Sequence, residues 1–183
     1  MPINFHISDD LKTLFIFGFH FDQIASTHKL VRDSFVESPW TKNEILEIVF
    51  AWCTIMQHSG LPNPYGGEKN RYDAFSRTLI ADNDPHSVET CSPAPEEYEA
   101  PLRFLMEFPR GDWIWKNELI SKYLNAMASA CNRRRFFLTN KGHMGIGPVD
   151  LKVGDSVSLI NSGRLPCILR ETGHSSYEFL GEA

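Results

Sequence analysis

The order of apolar and polar residues divides this chain into two parts with different periods. Up to about Ala130, apolar residues recur every three or four positions in several segments, which predicts helices. The clearest helix begins at Thr41, a good N-cap, with Glu44 at the capping-box position and apolar residues on one face. From Arg133 onward the period becomes two, which is typical of short β-strands.

The first part contains further elements. Thr13 to Phe21 is rich in phenylalanine and predicts a strand buried on most sides, closed by Asp22-Gln23-Ile24. We expect this strand to pair with the C-terminal strands, because the surrounding helices offer no ladder partner. The polar, proline-bearing segment from Asn83 to Glu99 predicts a long surface loop. Four further helices are predicted, over Ser26–Phe35, Glu68–Ala81, Leu102–Phe108 and Trp113–Ala130.

Two hairpin signals shape the second part, Asn140-Lys141-Gly142 and Asn161-Ser162-Gly163. Five strands are expected around them, over Arg135–Thr139, His143–Ile146, Ser156–Ile160, Leu165–Arg170 and Tyr177–Leu180. Closing such a unit removes exposed strand edges. The sequence therefore predicts an α+β fold: a mainly helical region with an N-terminal strand over 1–130, then a small antiparallel SH3-like β-barrel over 131–183.

Charge and composition narrow the function classes. Lys and Arg number 18 against 23 Asp and Glu, a net charge of −5 that does not favour nucleic acid. No apolar run reaches the roughly 18–20 residues of a membrane span, and Met1 to Asp10 lacks the pattern of a secretory signal. None of the scattered cysteines forms a Cys-x-x-Cys pair, which favours reduced thiols and a cytoplasmic protein. The cysteines are Cys53, Cys91, Cys131 and Cys167.

The sequence offers no defined catalytic, metal or cofactor site. Gly145-Ile146-Gly147-Pro148 lacks the third glycine and the following helix of a nucleotide loop, so it indicates a kinked strand exit. His20, His58 and His143 have no metal-ligand spacing. No nucleophile and base are brought together by their spacing, so we predict no catalytic residue, metal or cofactor.

Two groups of charged residues have alternative interpretations. Arg77 and Asp82 are too far apart for an ideal i,i+4 pair. Arg77 therefore either hydrogen-bonds loop carbonyls or a carboxylate of the β-unit, or contacts a ligand or a partner. Arg133-Arg134-Arg135 lies where a helix gives way to a strand. Its charges either complement the helix dipole or bind a phosphate or an acidic partner.

Three blocks carry a resemblance to a known family. They are Phe15 to Ile24, Arg71 to Asp82, and Arg134 to Ala183. The third has a basic doublet, two aromatics, a Lys-Gly turn, a Gly-x-Gly-Pro corner, a Gly-Asp strand start and a Pro-x-x-Leu-Arg strand. In this order and spacing it resembles the C-terminal region of fungal heterokaryon incompatibility proteins. The motif and candidate contact residues are Arg77, Asp82, Arg134, Arg135, Gly142, Gly147, Gly154, Asp155 and Arg170.

The resemblance also implies what to expect of function. Members of this family carry an N-terminal heterokaryon incompatibility domain, to which activity in death signalling is attributed, and their last strand usually continues past Gly-Glu-Ala. We therefore expect a C-terminal region without that domain, truncated in its last strand at Ala183. The resemblance implies a non-catalytic regulatory or interaction role in non-self recognition, with a protein as partner. It does not define the oligomeric state. The alternatives are a small enzyme assembled from scattered His, Asp and Arg residues, and a degenerate fragment without function.

Overall fold

A computed structural model describes residues 5–10, 12–28, 41–83, 94, 99–107, 116–161, 163, 165–173 and 176–183. In these residues the chain forms helices α1 Lys42–His58, α2 Glu68–Leu79, α3 Glu99–Glu107 and α4 Glu118–Cys131. It also forms strands β1 Phe5–Ile7, β2 Leu14–Ile16, β3 Gly18–Thr27, β4 Arg134–Thr139, β5 Met144–Pro148, β6 Ser156–Ile160, β7 Cys167–Gly173 and β8 Ser176–Glu182.

The principal sheet is antiparallel and has the strand order β5-β4-β3-β6-β7-β8. Its central strand, β3, comes from the N-terminal third of the chain. The first half of β3, Gly18 to Gln23, pairs with β6, and its second half, Ile24 to Thr27, pairs with β4. The expected pairing of the N-terminal strand with the C-terminal strands is therefore confirmed for β3.

The N-terminal strand differs from the prediction in three respects. Leu14–Ile16 forms a separate two-stranded sheet with β1. β3 continues through Asp22-Gln23-Ile24, because the Asp22 carboxylate finds hydrogen-bond donors at the neighbouring β4–β5 turn. Strand β3 also includes Ser26 and Thr27, so the start predicted for the Ser26–Phe35 helix is wrong; residues 29–35 lie outside the described part.

The sheet curves into a half-barrel. It contains the five predicted C-terminal strands as β4 to β8, and β3 joins them as the sixth strand. Its two edge strands approach each other at one end. A Cβ on Gly181 of β8 would lie 2.7 Å from Cγ of Pro148 in β5. Arg134 Nη1 also donates to the carbonyl of Glu182 at 3.5 Å. The first contact joins β8 to β5 and the second joins β8 to β4, and neither belongs to a strand ladder.

Strand β4 connects two hydrophobic cores, because successive side chains of a strand point to opposite faces. Phe136 faces the helices, where it stacks with Trp52 at 5.6 Å and meets the edge of Phe75 at 5.5 Å. Phe137 faces the inside of the curved sheet. It packs there in a smaller core with Ile24, Leu151, Val157 and Ile168.

Local signals explain the helix ends. The predicted capping box is confirmed, since the Thr41 side chain accepts from Glu44 N and the Glu44 carboxylate accepts from Thr41 N. Helix α2 ends at Leu79, and the chain then turns through Ala81 and Asp82, both with positive φ (53° and 45°). The Asn117 side chain caps α4.

Other predictions fall outside the described residues. These are residues 113–115 of the predicted Trp113–Ala130 helix, most of the Asn83–Glu99 loop, Phe108, and Cys91. The predicted helix begins too early, because α4 starts at Glu118 after an extended N-cap at Asn117. The division of the chain at residues 130 and 131 remains a prediction.

Candidate functional site

The motif residues Asp155 and Arg170 form a two-point ion pair. Arg170 Nε donates to Asp155 Oδ1 at 2.9 Å and Nη2 donates to Oδ2 at 2.8 Å. The Asp155 carboxylate is buried and also accepts from Lys152 N at 2.7 Å, while Arg170 Nη2 donates to the Asp150 carbonyl at 2.8 Å. Hydrogen bonding to Asp155 raises the pKa of Arg170. The pair ties the loop before β6 to β7, so it holds the sheet together.

Asp22 performs a similar task at the β4–β5 turn. Its buried carboxylate accepts from Lys141 N and Gln23 N, each at 2.9 Å. Burial acts to raise the pKa of Asp22. Hydrogen bonds from Thr139, Lys141 and Gln23 and the charge of Lys141 outweigh burial and lower the pKa. Asp22, which belongs to the resemblance block from Phe15 to Ile24, therefore fixes the turn of the β4–β5 hairpin.

Three of the motif residues are glycines, and a side chain would be unfavourable at each for a different reason. Gly142 has φ +83°, and a Cβ there would lie 1.8 Å from the Pro62 carbonyl oxygen. The turn is thus pressed against the loop that precedes α2. Gly154 also has a positive φ of 96°, but no atom lies within 4 Å of the position of a Cβ. Gly147 is in β5, where a Cβ would lie 2.8 Å from Leu151 Cδ2.

The structure brings Arg77 and Asp82 together, although the sequence spacing argued against an ideal pair. Arg77 Nη1 lies 2.9 Å from Asp82 Oδ1, because the positive-φ turn after α2 returns Asp82 toward the helix. Arg77 also contacts Asp73 Oδ2 at 3.3 Å and donates to the Ala94 carbonyl at 3.1 Å. The loop-carbonyl interpretation is confirmed at Ala94.

The basic residues after α4 reach backbone carbonyls of the sheet. Arg134 contacts the Glu182 carbonyl, and Arg135 Nη1 donates to the Leu151 carbonyl at 3.4 Å. The buried Arg135 Nε finds no hydrogen-bond partner in the described residues. No pattern in the sequence predicts that unpaired atom. The contact role of the nine motif residues remains a prediction.

The histidines lie in different surroundings. His143 packs edge-on against Phe21 at 4.9 Å and Tyr65 at 6.3 Å, and its Nδ1 has no hydrogen-bond partner among the described residues. His20 is exposed on β3, and His58 lies in the last turn of α1. Within the described ranges, no group of three or more His, Cys, Asp and Glu side chains could hold a metal ion.

A pocket of about 350 Å³ lies between α2 and α3. It is lined by the apolar residues Tyr72, Leu102 and Met106 and by the charged residues Lys69, Arg103 and Glu107. None of the motif residues lines it. In the part of the chain that the structure describes, no helix is long and apolar enough to cross a bilayer.

The sequence did not predict an exposed surface formed by Phe17, the start of β3 and its partner β6. We call it the apolar strand surface. Its large side chains are exposed to 68% at Phe17, 61% at Phe19 and 42% at Leu159. Leu14 (55%) and Phe15 (56%) are also exposed, but they lie on β2 of the separate two-stranded sheet. The prediction that this phenylalanine-rich segment is buried on most sides is therefore wrong for these positions.

Pairing explains how the apolar strand surface arises. Phe19 lies opposite Leu159, and Asp22 lies opposite Val157. Leu159 and Val157 are two residues apart in β6 and so point to the same face of the sheet. The apolar stripe of β6 begins at Val157, in the smaller core inside the curved sheet. It thus continues past the end of that core to the exposed Leu159. An open hollow of about 430 Å³ lies along Phe17, Gly18, Phe19 and the end of β6.

Comparison with protein families matches residues 114–183 to the Het-6 beta-barrel domain. This region is similar to the C-terminal region of heterokaryon incompatibility-type proteins. The matched range contains β4 to β8, whereas β3, which completes the centre of the sheet, lies before it. Neither the curated proteins nor the solved structures gave a match.

Proposed function

We propose that this chain is a non-catalytic regulatory or interaction region of a heterokaryon incompatibility-type protein, acting in the cytoplasm through protein contacts. In this role it serves non-self recognition and the control of programmed cell death. The similarity of residues 114–183 to the Het-6 beta-barrel domain supports the family context. The contact role rests on the apolar strand surface.

Exposure of this surface is the observation that carries the proposal. Single exposed apolar residues are common on folded proteins and need no explanation. Here Phe19 of β3 lies directly opposite Leu159 of β6, and Phe17 comes immediately before β3. A contiguous aromatic and aliphatic patch of this kind is typical of a surface that another protein covers.

The hydrogen-bonded motif residues fit a supporting role beside that surface. Asp155 and Arg170 fix β7 to the start of β6, and Asp22 fixes β3 to the β4–β5 turn. These contacts fix β6 and β3 to their other neighbours in the sheet, and these two strands carry Leu159 and Phe19. A rigid frame lowers the entropic cost of binding through the residues that it presents.

A turnover assay tests the non-catalytic part of the proposal. The purified chain is incubated with nucleoside triphosphates and nicotinamide dinucleotides, and products are separated by chromatography. We expect no product above buffer. Turnover that is lost on replacing His20, His58 or His143 would overturn the proposal in favour of an enzyme.

A cellular assay tests the contact part. The chain is expressed in a filamentous fungus, and cell death is scored after hyphal fusion. We expect Phe17→Asp/Phe19→Asp to abolish the effect of the chain, while His58→Gln, at an exposed position, leaves it unchanged. An effect that survives the double substitution would show that the apolar strand surface is not the contact.

A further inference from the structure

We infer that the loop from Ser59 to Gly67, which joins α1 to α2, is a strap that closes the outer edge of β5 to strand pairing. Tyr65 holds this strap on the edge. When the strap is released, the edge becomes available to an extended segment of another chain. The strap is therefore a conformational device that decides whether this end of the sheet can take part in a contact.

Strand β5 has backbone groups that face away from the sheet. In the described residues, no strand pairs with β5 on the side away from β4. Thr139 N donates to the His143 carbonyl at 2.9 Å, and hydrogen-bonded and non-hydrogen-bonded residue pairs alternate along an antiparallel ladder. The next pair, Leu138 and Met144, is therefore non-hydrogen-bonded, so the N–H of Met144 points away from β4. An outward N–H at a sheet edge is a donor for another strand.

Tyr65 of the strap covers this outward donor. Its hydroxyl accepts from Met144 N at 2.8 Å, and its half-buried ring lies edge-on to His143, with the ring centroids 6.3 Å apart. Three residues earlier in the strap, the Pro62 carbonyl packs against Gly142 of the β4–β5 turn. The strap thus contacts the β4–β5 turn and the first residue of β5 together.

The other outward positions of β5 are closed by different means. Ile146 and Pro148 follow Met144 at intervals of two residues and so face the same side. Pro148 has no N–H to offer to a strand. Ile146 is buried in the core of the helical region, and α2 packs beside β5. Met144 is therefore the outward position that a loop side chain covers, and it is the place where this edge can open.

The strap has the construction of a unit that can move as a whole. Tyr65 N donates to Asn63 Oδ1 at 3.0 Å, and Asn70 Nδ2 donates to the Tyr65 carbonyl at 3.0 Å. These bonds keep the shape of the strap without help from the sheet. At its start, Gly60 has φ 69°, and a Cβ there would meet no atom within 4 Å. The backbone can therefore turn at Gly60 without a steric barrier.

Amide hydrogen exchange of the full chain, followed at single residues by NMR, tests whether Tyr65 holds the strap. Tyr65→Phe removes the acceptor and keeps the ring, so the Met144 amide should exchange about three- to tenfold faster. The Phe137 amide, which pairs with Gly145 inside the hairpin, should keep its rate. Tyr72→Phe is the matched control, because the Tyr72 hydroxyl accepts from Gln57 on the helical side. An unchanged rate at Met144 in Tyr65→Phe would overturn the inference.

Sedimentation velocity between about 1 and 300 µM tests whether the strap prevents strand pairing. Tyr65→Ala should associate at a concentration at least about tenfold lower than the wild-type chain does. Tyr65→Ala/Met144→Pro should return to the behaviour of the wild type, because proline removes the outward N–H and leaves the ladder with β4 intact.

Circular dichroism shows whether each variant folds. If the double variant does not fold, exchange in the associated Tyr65→Ala chain decides instead, and the Met144 amide should be protected there. Tyr65→Ala that associates no more readily than the wild type would overturn the inference. Association that persists in the folded double variant, or that leaves the Met144 amide unprotected, would also overturn it, since the contact would then lie elsewhere.

Discussion

Arg170 holds the buried carboxylate of Asp155 at two points, with Nε 2.9 Å from Oδ1 and Nη2 2.8 Å from Oδ2. The two residues are fifteen positions apart, one just before β6 and the other in β7. Because the side chain of Asp155 is 5% exposed, water cannot replace the guanidinium if Arg170 is removed. The pair therefore makes the stability of the sheet depend on one side chain.

We expect Arg170→Met to lower the free energy of unfolding by about 3 kcal/mol, because it leaves a buried charge without its partner. Arg170→Lys should recover part of the loss, since an ammonium restores the charge but not the two-point geometry. Urea unfolding followed by tryptophan fluorescence measures both. In the double variant Asp155→Asn/Arg170→Met the cost should be smaller than the sum of the single costs.

A surface pair supplies the control. Lys122 Nζ lies 2.8 Å from Glu118 Oε1, and both side chains are largely exposed. Lys122→Met should therefore cost less than about 0.5 kcal/mol. If Arg170→Met and Lys122→Met lower the free energy of unfolding equally, burial of the Asp155 carboxylate is not what makes the Arg170 pair important.

Asp22 should make stability depend on pH. Hydrogen bonds and Lys141 keep the pKa of the folded carboxyl below its ordinary value of 3.8, despite burial. The unfolded chain then binds more protons at low pH, so the contribution of Asp22 is complete above about pH 4 and is lost as pH falls through the folded pKa. Asp22→Asn should cost about 1–3 kcal/mol at pH 7, because the amide cannot accept all of these hydrogen bonds.

Urea midpoints measured between pH 3 and pH 7 check this prediction. The difference between wild type and Asp22→Asn should shrink toward the acid end. Asp9→Asn, which changes an exposed carboxylate in the β1–β2 turn, should follow the wild type at every pH. A difference for Asp22→Asn that stays constant over the range would show that its charge plays no part.

Two glycines with positive φ should respond differently to alanine. Gly154→Ala meets no atom within 4 Å, so it should cost only the strain of the left-handed backbone, about 1–2 kcal/mol. Gly142→Ala carries similar strain and also drives its Cβ into the Pro62 carbonyl. Overpacking should add about 1–3 kcal/mol. Thermal unfolding by circular dichroism compares the two, and equal costs would mean that the hairpin can move away from Pro62.

Local signals in the sequence predict most of the elements. The capping box at Thr41 identifies the start of α1, and the Asn140-Lys141-Gly142 turn identifies the β4–β5 hairpin, because each signal acts within a few residues. The switch of period near Arg133 likewise identifies the start of the C-terminal strands. These features were predictable because neighbouring residues alone decide them.

The predictions that were wrong concern features that depend on residues far apart in the chain. The polar pair Asp22-Gln23 is typical of the end of a strand. The strand continues because the Asp22 carboxylate accepts a hydrogen bond from Lys141 N, 119 positions away in the chain. Phe17 and Phe19 are predicted to be buried because they are aromatic. They are exposed because β3 and β6 extend past the inner core. The candidate contact surface therefore depends on tertiary pairing, which a single sequence does not define.

The thiols give a last prediction. Cys53, Cys131 and Cys167 are free and buried, and burial raises the pKa of each. Cys131 also donates its Sγ–H to the Leu79 carbonyl at 3.1 Å. Because the thiolate is the reactive form, these groups should resist thiol reagents in the folded chain.

Ellman's reagent applied to the Cys91→Ser variant measures this, since the remaining three cysteines are then those described. Labelling at neutral pH should be slow in buffer and rapid in denaturing urea. Mass spectrometry should find Cys167 labelled first, because it begins β7 next to the edge strand β8, and Cys131 last. Three thiols that react within seconds in the native state would mean that both cores open readily, and the rigid frame on which the contact surface depends would then be absent.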